Sequence, residues 1–496
     1  MQRNSPSVLI MLLCLLASSG CTGKKNATKA EIPANKPTII IACPEGIAHE
    51  VIKSQGFVVS NRLGADLKII TRTSGKVPDS DQIKADIWII KPEEIGEFTQ
   101  ANLIAFASDS IQEPGDKINW SDLLPLYREK LLIWQRKIVA LPLTGEARVC
   151  LYRDDLFNNP IHQNGFNTKY NTPLKPPTTW SDYHKIAQYF SEANFNSGKS
   201  LPGLPSSEED FEKDFLSFAA GYTRQPVSPS EKITPEIENA VFSFQYDFRT
   251  GKPLINTTGF VKSLEKYKLL QKFRANSPDT ESGANFLQGN AALTIADASL
   301  VYKTQSNPAL KDKFNICAIP GSDGYYPGSS TEFRPLPIGN KIPYLGSSSN
   351  LGCVNAKSAS KELAFKFLIE FSSPEIAERI CVEPTTAGYT RYSQLDKIRL
   401  DAFGLDSQRT ASLRETIRAN LSHIDIKNPA LCSRLPGYQK RRTILVEEVK
   451  TYLNSPNGSA QETMNKVAQR WIEIDKAWPE KEFQALVKQS VGLIAD

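Results

Sequence analysis

The sequence predicts an α/β chain folded into two lobes that the backbone crosses more than once. The N-terminal part alternates strand, turn and helix. Two apolar strands, Lys137–Leu143 and Ala147–Tyr152, flank the polar turn Thr144, Gly145 and Glu146. Strand-like segments then return at Ala291–Ile295 and Phe314–Ile319 after a long helical stretch. At 496 residues the chain also exceeds the size at which a single core stops growing, about 250–300 residues.

Taken in order, the first residues concern targeting. Met1–Ser7 is polar with Arg3 as its charge, and Val8–Ala17 is apolar. A membrane-spanning helix needs about 20 apolar residues. This run is shorter and closes on Ser18, Ser19 and Gly20 ahead of Cys21, so it reads as an export signal over residues 1–21. Residues 22–37 (TGKKNATKAEIPANKP) have no apolar periodicity and read as a solvated tether. Thr38–Cys43 (TIIIAC) suits a strand covered on both faces, and Pro44, Glu45 and Gly46 end it before a short helix at Ile47–Gln55. Asp66–Thr71 and Asp86–Ile90 are the next strands, and Glu93–Gln100 is helical. Trp120–Leu132 is at most a helix pair. The turn Thr144–Glu146 is the expected hinge. Helices are expected at Trp180–Glu192, Glu209–Ala220, Pro235–Thr250, Phe260–Arg274 and Lys357–Phe371.

Composition narrows the function classes. The net charge is +5, with Lys and Arg spread along the chain. No basic stripe with interleaved aromatics is present for a nucleic acid, and the densest run, Lys440–Arg442, reads as the solvated face of a helix. Beyond Cys21, the cysteines are Cys43, Cys150, Cys317, Cys353, Cys381 and Cys432. Their spacing lacks the close pairs of zinc sites. Outside the cytosol some could form disulfides, and buried free thiols fit the apolar strands equally well, so the pairing stays open. None of the four histidines lies in an H-E-x-x-H motif or near a nucleophile elbow, and no G-x-S-x-G occurs.

Several segments carry a family resemblance. KIVALPLTGEARVCLYRDDLF (Lys137–Phe157) is similar to a lysine-initiated hairpin, ligand loop and "leu-tyr-tyr" strand. PPTTW (Pro176–Trp180) is similar to a "pro-x-thr-trp" helix start. FLQGNAALTIADASLVY (Phe286–Tyr302) is similar to a "phe-x-x-gly-lys-ala-ala-met" return, with Asn290 for Lys and Leu293 for Met. Ile319–Gly321, Leu345–Glu375, the aspartate-led strand Asp86–Ile90 and the end segment Pro436–Trp471 follow in the family's order. Together they resemble the extracellular solute-binding proteins of family 1, the maltose-binding-protein-like group that serves ABC sugar importers. Small residues before Cys21 likewise resemble a bacterial lipobox, with Ser18 where Leu is usual.

The resemblance implies a type II periplasmic-binding-protein-like fold with a multi-crossing hinge. It places residues 38–145 plus 293–345 in the N-terminal lobe and 146–292 plus 346–496 in the C-terminal lobe. It implies a small-molecule solute, a sugar by preference, held between the lobes, ABC permease subunits as partners, a membrane tether through lipidated Cys21, a monomeric state, and neither cofactor nor catalysis. A sugar site needs carboxylates, amides and aromatic planes, so the ligand candidates are Glu45, Trp88, Lys91, Thr144, Gly145, Glu146, Asp297, Tyr344, Gly346, Ser347 and Ser348. Trp88 serves equally well as core, and Glu45 as a carboxylate at a helix start. Two readings stand beside import: an exported carbohydrate-active hydrolase, since a glycosidase needs only two facing carboxylates, and a ligand-sensing surface lipoprotein. The stretches Asn158–Pro176 and Phe195–Glu209 lie outside the family core.

Overall fold

Strands in the computed structural model follow in chain order as β1 (Thr38–Cys43), β2 (Asp66–Thr71), β3 (Ile87–Ile90), β4 (Ile133–Trp134), β5 (Lys137–Ile138), β6 (Leu141–Thr144), β7 (Arg148–Tyr152), β8 (Leu293–Asp297), β9 (Asn315–Cys317), β10 (Ser322–Tyr325), β11 (Arg334–Asn340), β12 (Tyr344–Leu345), β13 (Asn350–Val354) and β14 (Ala430–Leu431). The structure describes residues 36–79, 83–113, 115–280, 283–382, 388–396, 404–422 and 428–495. The expectations for the export signal, Cys21 and most of the tether lie outside the described residues.

The first sheet has the order β2-β1-β3-β13-β6. β1 pairs in parallel with β2 and β3, and β13 runs antiparallel to β3 and β6. Alternation along β1 sends Ile39, Ile41 and Cys43 to a face covered by the helices Ile47–Val51, Phe57–Arg62 and Lys361–Phe371. Ala42, Trp88 and Ile90 pack on the other face with Ile95 and Phe98 of the helix Ile95–Gln100. Asp86 fixes the entry to β3: its carboxylate accepts from the Ile40 N–H at 2.9 Å and the Ser358 hydroxyl at 2.6 Å.

Trp88 has no exposed surface. Its ring meets Phe98 edge-on at 6.0 Å, and its Nε1 has no hydrogen-bond partner. Its assignment to the ligand site is therefore corrected: both faces of β3 are covered, and the indole fills the core.

The second sheet has β7 in the middle, antiparallel to β8 and β9. The helices Trp180–Glu192, Glu208–Thr223, Thr258–Leu269, Tyr438–Asn454 and Ala460–Asp475 build the rest of this lobe. Thr179 starts the first of them with a reciprocal cap: its hydroxyl accepts from the Asp182 N–H, and the Asp182 carboxylate accepts from the Thr179 N–H. The expected helix over Pro235–Thr250 ends at Phe242, and the predicted strand over Lys137–Leu143 divides into β5, paired with β4, and β6.

Sheet pairing revises the expected lobes at two segments. β8 and β9 flank β7, so residues 293–317 belong to the second lobe, while β13 inserts between β3 and β6 and belongs to the first. Strand propensity marks a segment as a strand without naming its neighbour. The helix Ser407–Leu421 packs on β9, which returns the chain to the second lobe. The reading of Lys440–Arg442 as a solvated face holds for Lys440 only. Arg441 and Arg442 are buried, and Arg441 pairs with Asp475 at 2.5 Å.

Replacing Trp88 by Ala leaves a cavity between β3 and the helix Ile95–Gln100. The expected cost is about 3–5 kcal/mol of stability by urea unfolding; a loss below about 1 kcal/mol would place the ring outside the core.

Candidate functional site

Three stretches of backbone meet between the two sheets. The first, Gly145–Ala147, links β6 to β7, and the second, Gly346–Ser349, links β12 to β13. The third is the segment around Tyr389, which bridges to Glu146. Gly145 lies so close to it that a Cβ would stand 2.3 Å from the Tyr389 carbonyl oxygen. Gly346 has φ +102°, and a Cβ there would meet Cys432 Sγ at 2.7 Å. Any L-residue at either position would force these chains apart.

Glu146 fastens the first two stretches together. Its carboxylate accepts the Gly346 N–H at 2.8 Å and 2.9 Å and the Ser348 N–H at 3.2 Å. Its own N–H donates to the Tyr127 hydroxyl at 3.1 Å, and that hydroxyl meets Ser349 Oγ at 3.0 Å. Asn350 Nδ2 donates to Thr144 Oγ1 at 2.8 Å, a second tie between the same two stretches. Burial pushes the Glu146 carboxyl up to about 7 despite the two amide donors.

A polar chain runs outward from this hinge along the second lobe. Ser348 Oγ approaches Asp297 Oδ1 at 3.5 Å, Asp297 lies 3.9 Å from Lys213 Nζ, and Lys213 lies 3.4 Å from Asp210. Burial alone would lower Lys213, but Asp297, Glu209 and Asp210 outweigh it and hold the ammonium above its usual range. Beside this chain is a cavity of about 30 Å³ walled by Arg148, Trp180, Asp210, Lys213 and Asp297. Thr294 Oγ1 and Arg274 Nε, from residues on the same wall, have no hydrogen-bond partner. Pro202, Gly203 and Pro205 complete one side, so the stretch Phe195–Glu209 shapes the cavity.

Side chains of the two lobes also pair directly across the cleft. Lys91, just after β3, meets Glu209 at 2.5 Å. Arg442 lies between Glu93 at 2.5 Å and Glu212 at 2.6 Å, with all three buried. Burial pushes the Glu93 carboxyl up to about 7, against the pull of Arg442. One cation between two carboxylates leaves an excess negative charge, which a proton on Glu93 removes. Glu94, next in sequence, holds the loop after β3 by accepting from the Lys91 N–H, the Gly75 N–H and Arg72.

Of the residues singled out from sequence, Thr144, Gly145, Glu146, Gly346, Ser347 and Ser348 come together at the hinge, and Asp297 reaches them through Ser348. Glu146 is engaged by backbone amides, and Ser347 is buried. Tyr344 is buried against Phe244 at 6.1 Å with its hydroxyl unpartnered, which places it in packing beneath the hinge. Lys91 is committed to Glu209, and Glu45 is exposed on the loop after β1. Arg148, Glu209, Glu212, Lys213 and Arg442 went unrecognised in sequence. For Glu209, Glu212 and Lys213 the one signal is the start EEDFEKD (Glu208–Asp214), where charges interrupt the apolar positions of an otherwise buried helix. Among the described residues no group of three His, Cys, Asp or Glu stands close enough to hold a metal ion, and no helix is long and apolar enough to cross a membrane.

No family model and no curated protein matches the chain. Solved structures do, over most of its length. The sugar-binding protein MalE from Xanthomonas citri matches with a TM-score of 0.63 at 12% identity, covering 89% of this chain and 98% of that one. A solute-binding protein of an ABC transporter from Agrobacterium radiobacter, in complex with ribitol, matches with a TM-score of 0.61 at 17% identity, covering 89% and 99%. An ABC substrate-binding protein from Listeria monocytogenes, in complex with cycloalternan, matches with a TM-score of 0.59 at 15% identity, covering 89% and 99%. The chain has the fold of the MalE-type periplasmic binding proteins.

The two raised carboxyls set a pH dependence. Glu146 and Glu93 titrate near 7 in the folded chain against an ordinary 4.5, so between those values the folded state holds more protons than the unfolded one. Stability therefore falls as pH rises from about 4.5 to about 7 and levels off above. By calorimetry from pH 5 to 7.5, Glu146→Gln is expected to remove roughly 1–3 kcal/mol of that fall. Equal slopes in the two proteins would mean that Glu146 is already ionised.

Proposed function

We propose that this chain is the solute-binding component of an ABC-type importer, that it takes a sugar or polyol between its lobes, and that it passes the solute to permease subunits without chemical change. The observation that carries this reading is the hinge: two sheets joined at Gly145–Ala147 and Gly346–Ser349, fastened by Glu146, in a fold shared with binding proteins crystallised with ribitol and cycloalternan. In this reading Asp297, Ser348 and Lys213 face the solute. A carboxylate, a hydroxyl and an ammonium side by side match the alternating donors and acceptors of adjacent hydroxyls, and Trp180 supplies an apolar wall for C–H faces. Export follows from the leader, and Cys21 anchors the mature chain to the membrane through the tether at residues 22–37.

A thermal-shift screen against monosaccharides, oligosaccharides and polyols tests the reading. A solute at about 100 times its dissociation constant stabilises the native state by about 2.7 kcal/mol, a rise of a few degrees. Asp297→Ala is expected to weaken the response at least about tenfold, the effect of about 1.4 kcal/mol. A screen in which no sugar or polyol moves the midpoint, or in which one is consumed, would remove this function.

A further inference from the structure

β7 and β9 place two cysteines face to face. In their antiparallel register Cys150 lies opposite Cys317, Leu151 opposite Ile316 and Tyr152 opposite Asn315. Directly opposed residues of such a pair have Cα atoms about 4.5 or 5.5 Å apart, within the roughly 4.4–6.8 Å that a disulfide spans, and their side chains leave the sheet on the same face. Cys150 Sγ has only a long contact of 3.9 Å to the Leu151 carbonyl. Cys150 has no exposed surface, whereas Cys317 is only partly covered. The other described cysteines are engaged elsewhere: Cys43 Sγ donates to the Pro44 carbonyl at 3.3 Å, Cys381 Sγ to the Gly388 carbonyl at 3.2 Å, Cys353 lies opposite Trp88 in the first sheet, and Cys432 packs at Gly346.

We propose that Cys150 and Cys317 are a disulfide-forming pair that closes when the chain meets a disulfide-bearing oxidant, either a dithiol-disulfide oxidoreductase or oxidised glutathione. The accessible Cys317 thiolate attacks one sulfur of the oxidant and breaks its S–S bond; the departing thiolate takes up a proton. Cys150 then loses its proton to solvent and attacks the Cys317 sulfur, expelling the second thiol of the oxidant. Two cysteine thiols are oxidised to one disulfide, and one disulfide of the oxidant is reduced to two thiols. The link staples the short edge strand β9 to β7, the strand that also carries Arg148 to the cleft wall. It also steadies the helix Ser407–Leu421 that packs on β9.

Peptide mapping of the full chain without reductant tests this, with free thiols alkylated under denaturing conditions. One preparation comes from an oxidising compartment, and the other from a reducing cytoplasm followed by oxidised glutathione. The expected product joins the Cys150 and Cys317 peptides and is lighter by two hydrogen atoms than their sum, with Cys43, Cys353, Cys381 and Cys432 alkylated. Reductant should lower the melting temperature of the linked chain by about 2–4 °C and leave Cys317→Ser unmoved. A link in the glutathione-treated sample alone upholds the pair and counts against export. Alkylation of both cysteines in both samples, or any other pairing, overturns the proposal.

Discussion

The structure depends on one buried carboxylate. Glu146 stands where the chain passes from the first sheet to the second, and it binds the amides of Gly346 and Ser348 in the return passage. Two separate connections thereby become one pivot. Without the carboxylate, two buried N–H groups would be left unpaired, at a cost of about 1–3 kcal/mol each. With it, the two connections are held to each other through one side chain. Gly145 and Gly346 serve the same constraint, because the close approach to Tyr389 and Cys432 leaves no room for a side chain.

Across the cleft the lobes are held by charges. Lys91–Glu209 and Glu93–Arg442–Glu212 are interlobe pairs in which each partner gives up water to meet the other. Buried pairs of this kind return little net stability over their desolvation. Contact between the lobes is therefore specified in geometry without a large gain in energy.

The fold was legible because apolar period and turn residues are local signals. TIIIAC, DIWII and RVCLY read as strands, and Trp180–Glu192 as a helix, from the residues themselves. Strand partners were not legible. β8 and β13 have the same sort of apolar sequence, and what sends one to β7 and the other between β3 and β6 is long-range packing, invisible in a window of a few residues. The hinge was found because a polar Thr-Gly-Glu turn between two apolar strands is conspicuous. The role of Glu146 was not, since a carboxylate that meets a solute and one that meets backbone amides look alike in sequence. Arg442 was missed for a related reason: three consecutive cations read as solvent-facing until two of them find Asp475, Glu93 and Glu212 from distant segments.

The balance of charge in the cleft bears on what it can hold. Around the chain from Ser348 to Arg442 the carboxylates Glu93, Glu209, Asp210, Glu212, Asp214 and Asp297 face the cations Lys91, Arg148, Lys213, Arg274 and Arg442, six against five. A proton on Glu93 brings the two signs level. A phosphorylated or carboxylated solute would have to draw Lys213 away from Asp297 and Asp210, leaving carboxylates without a partner in a partly dry site. A neutral polyhydroxyl compound meets no such penalty, because each hydroxyl donates to a carboxylate and accepts from an ammonium without changing the charge count. Cations already committed to carboxylates thus disfavour an anion beside Lys213 on grounds independent of the fold, in keeping with the neutral, hydroxyl-rich solute proposed above.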